Sequence, residues 1–233
     1  MKRISFFSVC VPFIVGLLIV AGCKSDDSKP NDPGGGGTTG TSKVMVVHAS
    51  PGSPAIDLYV DTTRARANLA YASNTGYISI SAGIHSLKAT IAGTQTILIS
   101  VPLFPVPENV IVTAFAADTG IAVTATAFSD TLTVPASGKA SVRYINMMAR
   151  STGVGAYVDA GATATATLDF LVGTSFLSID AGQHTVEFKS GTTTLATLTN
   201  YAFQAGKIYT VWLKGLNGTT GATAPGVEVI LNN

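Results

Sequence analysis

Val44–Asp61, V-M-V-V-H-A-S-P-G-S-P-A-I-D-L-Y-V-D, decides how the chain is read, because it occurs again as Val142–Asp159, V-R-Y-I-N-M-M-A-R-S-T-G-V-G-A-Y-V-D. Val44 aligns with Val142, and Tyr59-Val60-Asp61 with Tyr157-Val158-Asp159, at one offset of 98 residues. The chain is therefore expected to hold two copies of one unit. Within the first copy Ile56, Leu58 and Val60 alternate with Asp57, Tyr59 and Asp61, the period of a half-buried strand. Asp57, Tyr59 and Asp61 are expected on its outward face. The prolines of Ser50-Pro51-Gly52-Ser53-Pro54 separate this strand from Val44–Ala49, since proline has no N–H for a ladder.

Turn residues interrupt an alternating pattern every 8–12 positions through both copies. In the first copy the expected strands are Val44–Ala49, Ala55–Asp61, Asn68–Tyr71, Tyr77–Ser81, His85–Ile91, Thr96–Val101, Val110–Ala117 and Ile121–Phe128. Pro102, Pro105 and Pro107 argue against a strand over Leu103–Glu108, leaving Leu103–Val106 as an apolar loop that either contacts a partner or plugs its own sandwich. Ala181-Gly182 repeats the Ala82-Gly83 turn. No helical period is present, so the fold class is all-β: two tandem antiparallel β-sandwiches of immunoglobulin-like size. The divisions are 43–128 for the first sandwich, 129–138 for a linker and 139–233 for the second.

Composition agrees. Charged residues make up 12% of the 233 and apolar residues 46%, so Thr, Ser, Gly and Asn must supply much of the polar surface. The net charge is +1, and removing Lys2 and Arg3 from the 14 basic residues leaves them outnumbered by the 13 acidic ones. No basic face is left for nucleic acid, and that class is excluded.

Ahead of the repeats, Lys2-Arg3 and the apolar Ile4–Val20 end in Val20-Ala21-Gly22-Cys23. This resembles the leader of bacterial lipoproteins, which implies cleavage before Cys23, acylation of Cys23 (palmitate among the lipids) and a membrane partner through that anchor. The competing reading is an uncleaved span, but the run is at the short limit for crossing and is broken by Pro12 and Gly16. Lys24–Ser42 has no apolar residue and contains Gly34–Gly37, so residues 23–42 are expected to be a lipidated cysteine and flexible tether. Lys24-Ser25-Asp26-Asp27 either resembles an export signal to the outer face of the outer membrane or is an ordinary solvated linker; the expected location is the outer membrane, facing the surface or the periplasm, with the surface favoured. Of two cysteines, Cys10 leaves with the leader and Cys23 takes the lipid, which excludes a disulfide or a cysteine-ligated metal.

The opening Val47-His48-Ala49-Ser50-Pro51, with Pro54-Ala55, Asp57 and Tyr59-Val60-Asp61, resembles the bacterial domain-of-unknown-function family numbered 4397. The resemblance is full in the first repeat and partial in the second, where Asn146-Met147-Met148-Ala149 replaces His48-Ala49-Ser50-Pro51. It implies an immunoglobulin-like or transthyretin-like sandwich and no established activity.

Chemistry is sparse. His48, Ser50 and Asp57 invite a triad reading, but no nucleophile elbow surrounds Ser50, and Asn146 in the place of His48 can bond but cannot act as a base. His48, Ser50, Pro51 and Asp57 are therefore read as a structural motif. His85 and His184 follow matching turns and are read as part of the fold. Asp57 and Asp61 are about 13 Å apart along a strand at about 3.3 Å per residue, too far to share a proton. Catalytic residues, cofactors and metal ligands are expected to be none. For binding, Trp212 faces away from Tyr209, Val211 and Leu213, so it either stacks on a sugar or fills the contact between domains. Tyr59 with Asp61, and Tyr157 with Asp159, give each repeat an outward aromatic–acid pair. The expected function is a non-catalytic, lipid-anchored envelope module that binds a protein or a glycan. The alternatives are a structural subunit of an envelope assembly and, last, an envelope hydrolase.

Overall fold

The computed structural model describes residues 40–233; the expected leader, Cys23 and nearly all of the expected tether lie outside the described residues. The first repeat forms β1 (Thr41–His48), β2 (Ile56–Val60), β3 (Thr63–Leu69), β4 (Asn74–Ser81), β5 (Gly83–Ile91), β6 (Ile97–Val106), β7 (Ile111–Thr119) and β8 (Ala122–Ser129). The second forms β9 (Lys139–Asn146), β10 (Val154–Val158), β11 (Ala166–Leu168), β12 (Val172–Gly173), β13 (Leu177–Asp180), β14 (Gly182–Ser190), β15 (Thr193–Phe203), β16 (Ile208–Lys214) and β17 (Gly226–Leu231). Each repeat is a sandwich of two sheets. In the first, β4-β1-β7-β8 lies over β3-β2-β5-β6; in the second, β12-β9-β16-β17, with β13 also on β9, lies over β11-β10-β14-β15.

Pairing is antiparallel with one exception per repeat. β1 runs parallel to β7, with Val44 opposite Val112, and β9 runs parallel to β16, with Val142 opposite Tyr209. These four strands are buried on both faces, which is where parallel pairs are found. Val44 points into the first sandwich and Met45 and Val47 point out of it. Those outward residues do not meet solvent. Met45, Val47, Phe115 and Ala117 of the first repeat form one core with Ile145, Met147, Trp212 and Ile230 of the second. The sheets containing β1 and β9 thus pack face to face, giving four layers with three apolar seams. The second sandwich has its own core of Val142, Tyr144, Phe188, Phe203, Tyr209 and Val211, among others. The first has two smaller clusters, around Ile56, Leu58 and Leu69 and around Val44, Ile80 and Val106.

Two local expectations are corrected. The third strand is Thr63–Leu69, not Asn68–Tyr71, because T-R-A-R-A-N-L is an edge strand with only Leu69 buried and so carries no alternation to read. Leu103–Val106 is strand, not loop: β6 runs through Pro102 and Pro105 to Val106. Since β6 is also a sheet edge, the missing N–H groups cost it no inner ladder. Val106 is buried and Phe104 packs against it, whereas Leu103 is 75% exposed. The 129–138 segment joins the two repeats and carries one buried side chain, Asp130.

Candidate functional site

His48 is fully buried at the end of β1. Its Nε2 donates to the Pro54 carbonyl at 3.0 Å, and its Nδ1 accepts the Ser50 N–H at 3.4 Å. This requires the neutral tautomer with the proton on Nε2, and burial lowers the His48 pKa despite the bond to Pro54. Asn146 reproduces the bond from the N–H two residues on, while its amide nitrogen turns to other partners, Ser151 Oγ at 2.9 Å among them. Its Oδ1 accepts the Met148 N–H at 3.0 Å and its Nδ2 donates to the Leu168 carbonyl at 3.1 Å. The shared role is to hold a chain turn under the sheet end, which an imidazole and an amide do equally. Ser50 Oγ donates to the Asp118 carbonyl at 2.9 Å, and Gly120 N–H donates to the Pro51 carbonyl at 3.3 Å. Ser50 and Pro51 therefore bind their loop to the β7–β8 hairpin.

Asp57 is not outward. It is 2% exposed, and its carboxylate accepts the Asn68 N–H at 2.7 Å and the Gly93 N–H at 3.2 Å, with Arg64 at 3.4 Å. The pairing of β2 with β3 slips on both sides of Leu58, and Asn68 has a φ of 50°, which turns its N–H toward the carboxylate. These backbone bonds, Asn68 first, lower the Asp57 pKa. Gly155 stands at the matching place in the second repeat, so this device belongs to the first alone. His48, Ser50 and Asp57 each bond to backbone partners, and no triad forms.

The acid of each expected aromatic–acid pair has a different partner. His85 Nδ1 lies 2.8 Å from Asp61 Oδ2, and His184 Nδ1 lies 2.6 Å from Asp159 Oδ2. The other ring nitrogen faces a carbonyl, of Ser81 in one repeat and Asp180 in the other, at 2.9 Å. A carboxylate and a carbonyl only accept, so this arrangement is fully satisfied when both ring nitrogens carry protons, and it favours the imidazolium form. The second carboxylate oxygen accepts the N–H of Ser86 or Thr185 at 2.8 and 3.0 Å. In both repeats the ring ties the last residue of one sheet's strand to the turn leaving the other sheet. Tyr59 and Tyr157 do face outward, each beneath a lysine: Lys88 Nζ sits 4.6 Å from the Tyr59 ring centre, and Lys189 Nζ 4.9 Å from that of Tyr157.

These clasps give a pH prediction. The bond to Asp61, with the Ser81 carbonyl, raises the His85 pKa above 6.5; for His184 partial burial pulls down, but Asp159 and Asp180 outweigh it. The bonds from the histidines lower Asp61 and Asp159 below 3.8. A raised histidine contributes fully below 6.5 and loses its contribution as pH climbs through the folded value; a depressed aspartate contributes above 3.8 and loses it as pH falls. The clasps therefore stabilise most between those limits. The difference in melting temperature between the wild type and a His85→Gln/His184→Gln variant is expected to be larger at pH 5 than at pH 8. A difference independent of pH would show that the rings are not imidazolium. The difference is the quantity to read, because neutral, buried His48 pulls the total the other way.

Trp212 is 1% exposed. Its ring meets Phe115 of the first repeat edge-on, centres 5.6 Å apart, and Phe115 in turn meets Phe128 at 5.9 Å. Trp212 fills the contact between sandwiches, so glycan stacking on it is corrected. Sequence reasoning missed the polar cluster beside it. Arg143 of β9 and Asp130 form an ion pair at 2.6 Å with both side chains almost wholly buried. Asp130 Oδ2 also accepts from Tyr77 at 2.7 Å and Thr113 at 2.6 Å, while Arg143 Nε donates to Thr210 at 2.8 Å. Asn232 closes the ring by accepting from Thr210 and donating to Tyr77. Burial, above all, pushes the Tyr77 hydroxyl up to about 12, which keeps it a donor to Asp130. One signal pointed to this cluster: Arg143 stands alone in the apolar run of β9. Among the described residues no three His, Cys, Asp or Glu side chains gather as a metal site.

Fold and site together define an all-β, two-sandwich protein in which the repeated histidine–aspartate pairs bond within the chain itself. The chain belongs to the family described as Domain of unknown function (DUF4397), which matches it over residues 42–154 and again over 141–232. No curated protein matches it.

Proposed function

We propose that this protein is a lipid-anchored cell-envelope module, held at the outer membrane through Cys23, that binds a protein or glycan without catalysis. The observation that supports this reading is the shared core between the sandwiches. It turns two repeats into one rigid block and leaves the two outer sheets as presenting faces. Each outer face carries the same device, an outward tyrosine under a lysine: Tyr59 with Lys88, and Tyr157 with Lys189. A flat ring beside an ammonium suits a sugar face or an acidic peptide.

The test has two arms. Protease added to intact cells is expected to digest residues 40–233 without permeabilisation. Binding to glycan and envelope-protein panels is expected to fall at least tenfold in a Tyr59→Ala/Tyr157→Ala variant whose melting temperature is unchanged. Turnover of an envelope substrate, lost in His48→Ala, would sink the non-catalytic reading.

A second reading, a structural subunit of an envelope assembly, is supported by one surface. Ile97 and Leu103 on edge strand β6, and Ile84 on neighbouring β5, are 56%, 75% and 69% exposed. An apolar sheet edge is a template for a partner strand. Protection of intact cells from protease, with crosslinking of β6 to one periplasmic protein, would favour it.

A further inference from the structure

The two sandwiches differ in how they are filled. An apolar cavity of about 310 Å³ runs between the sheets of the first repeat. That is within the roughly 300–1,000 Å³ range of small-molecule sites. The second repeat has large side chains at the same register positions. Val46 beside Ala114 corresponds to Tyr144 beside Val211, and Val112 opposite Val44 to Tyr209 opposite Val142. Ala89 opposite Leu58 corresponds to Phe188 opposite Ala156, so here part of the gained volume is returned. The exposures agree with this difference. Tyr144 and Phe188 are fully buried, whereas Val46 and Val112, on the inner face of their own sandwich, are only half-buried. Solvent therefore reaches these positions of the first sandwich and not their counterparts in the second.

The cavity has a polar entrance. Val60, Ala65, Ile78 and Ile80 line both the cavity and a vestibule between β3 and β4. The vestibule also carries Thr63, Ser79, Ser81 and the Asp61–His85 pair. The charges of that pair are matched within it at 2.8 Å and Ser81 Oγ lies 3.4 Å from His85 Nε2, which leaves the Thr63 and Ser79 hydroxyls as bonding groups. The site is thus apolar in depth and hydroxyl-lined, without net charge, at its mouth.

We propose that the first sandwich binds a single unbranched acyl chain in this cavity, with an uncharged, hydroxyl-bearing head in the vestibule. Close-packed interiors seldom keep space of this size, and an apolar cavity gains nothing from ordered water, which needs polar partners. A saturated chain matches both the shape between two sheets and the aliphatic wall. This proposal goes beyond the outer-face reading above and does not depend on it, since the acyl chain lies between the sheets of the first repeat, whereas the outer-face pair of the second repeat, Tyr157 with Lys189, lies away from the cavity.

The test uses the chain from Thr38 onward, which is one compact unit, and monoacylglycerols of eight, ten and twelve acyl carbons below their micelle concentrations. Titration calorimetry is expected to show one site per chain, tightening about fourfold for each methylene until the cavity is full. Val46→Phe places in the cavity the ring that the second repeat carries as Tyr144, and is expected to weaken binding at least tenfold while leaving the melting temperature unchanged or higher. Should Val46→Phe fail to fold, Ala116→Leu, which copies Leu213 at the matching position of the second repeat, is read in its place. Tyr157→Ala, in the second repeat and away from the cavity, is expected to leave this binding unchanged while weakening the outer-face binding, which separates the two proposals. No binding, binding indifferent to chain length, or equal binding by the filled variant would each overturn the assignment. So would sedimentation with phosphatidylcholine vesicles in the absence of binding to free monoacylglycerol, which would assign the surface to a bilayer.

Discussion

Replacing Arg143 by methionine is expected to destabilise the protein by about 3–5 kcal/mol, because it leaves the Asp130 carboxylate buried without its counter-ion. That is a large share of the roughly 5–15 kcal/mol that holds a typical domain. Arg143 joins β9 of the second repeat to Asp130, which follows β8 of the first, and both side chains are at most 2% exposed. Its guanidinium also lies 4.6 Å from the Phe176 ring centre and 5.6 Å from that of Phe128. Part of what Arg143 contributes is therefore packing, which methionine retains. Removing both charges with Asp130→Leu/Arg143→Met is expected to cost less than Arg143→Met alone, since no charge is then stranded. Urea denaturation followed by circular dichroism reads the three proteins. If the double variant is the least stable, the pair contributes net attraction beyond its desolvation cost and this account of it fails.

Trp212→Ala is expected to cost about 3–5 kcal/mol, the usual penalty for deleting a large buried aromatic side chain. The cavity would open between the repeats, where Trp212 meets Phe115, and not inside either sandwich. Urea denaturation of the variant is therefore expected to separate into two transitions, where the wild type shows one. Phe115→Ala, on the other side of the seam, should act in the same way, and the pair should show a coupling of about 0.5–1.5 kcal/mol in a double-mutant cycle. A Trp212→Ala protein of unchanged stability that loses a glycan ligand would overturn the burial and return Trp212 to the surface role that its alternation alone allowed.

Which residues are legible from the chain follows a physical rule. Alternation reports that a side chain leaves one face of a strand; it does not report what stands opposite. It places Trp212 away from the core of its own sandwich, and only packing shows that a second sheet covers it. The same rule puts Asp57 outward, yet Asp57 is buried, because a slip in the β2–β3 pairing brings two backbone N–H groups to its carboxylate. The histidines are readable because they repeat. His85 and His184 fall at one place in both copies, and Asn146 in place of His48 marks a hydrogen-bonding role rather than a basic one.

The all-β class, the duplication and the family are legible in the chain alone, because these rest on local periodicity and on a pattern that recurs within one chain. The sequence also pointed to a structural reading of His48, Ser50 and Pro51, which their hydrogen bonds to backbone fit. Tertiary structure alone decided the parallel β1–β7 and β9–β16 pairs, the four-layer stack, the Asp130–Arg143 cluster and the cavity in the first sandwich. Each of these depends on which surfaces meet across many residues of chain. Two sheets of similar pattern can pack tightly around Tyr144 and Phe188 or stand apart around Val46 and Ala89, and that difference exists only once the opposing side chains are in place.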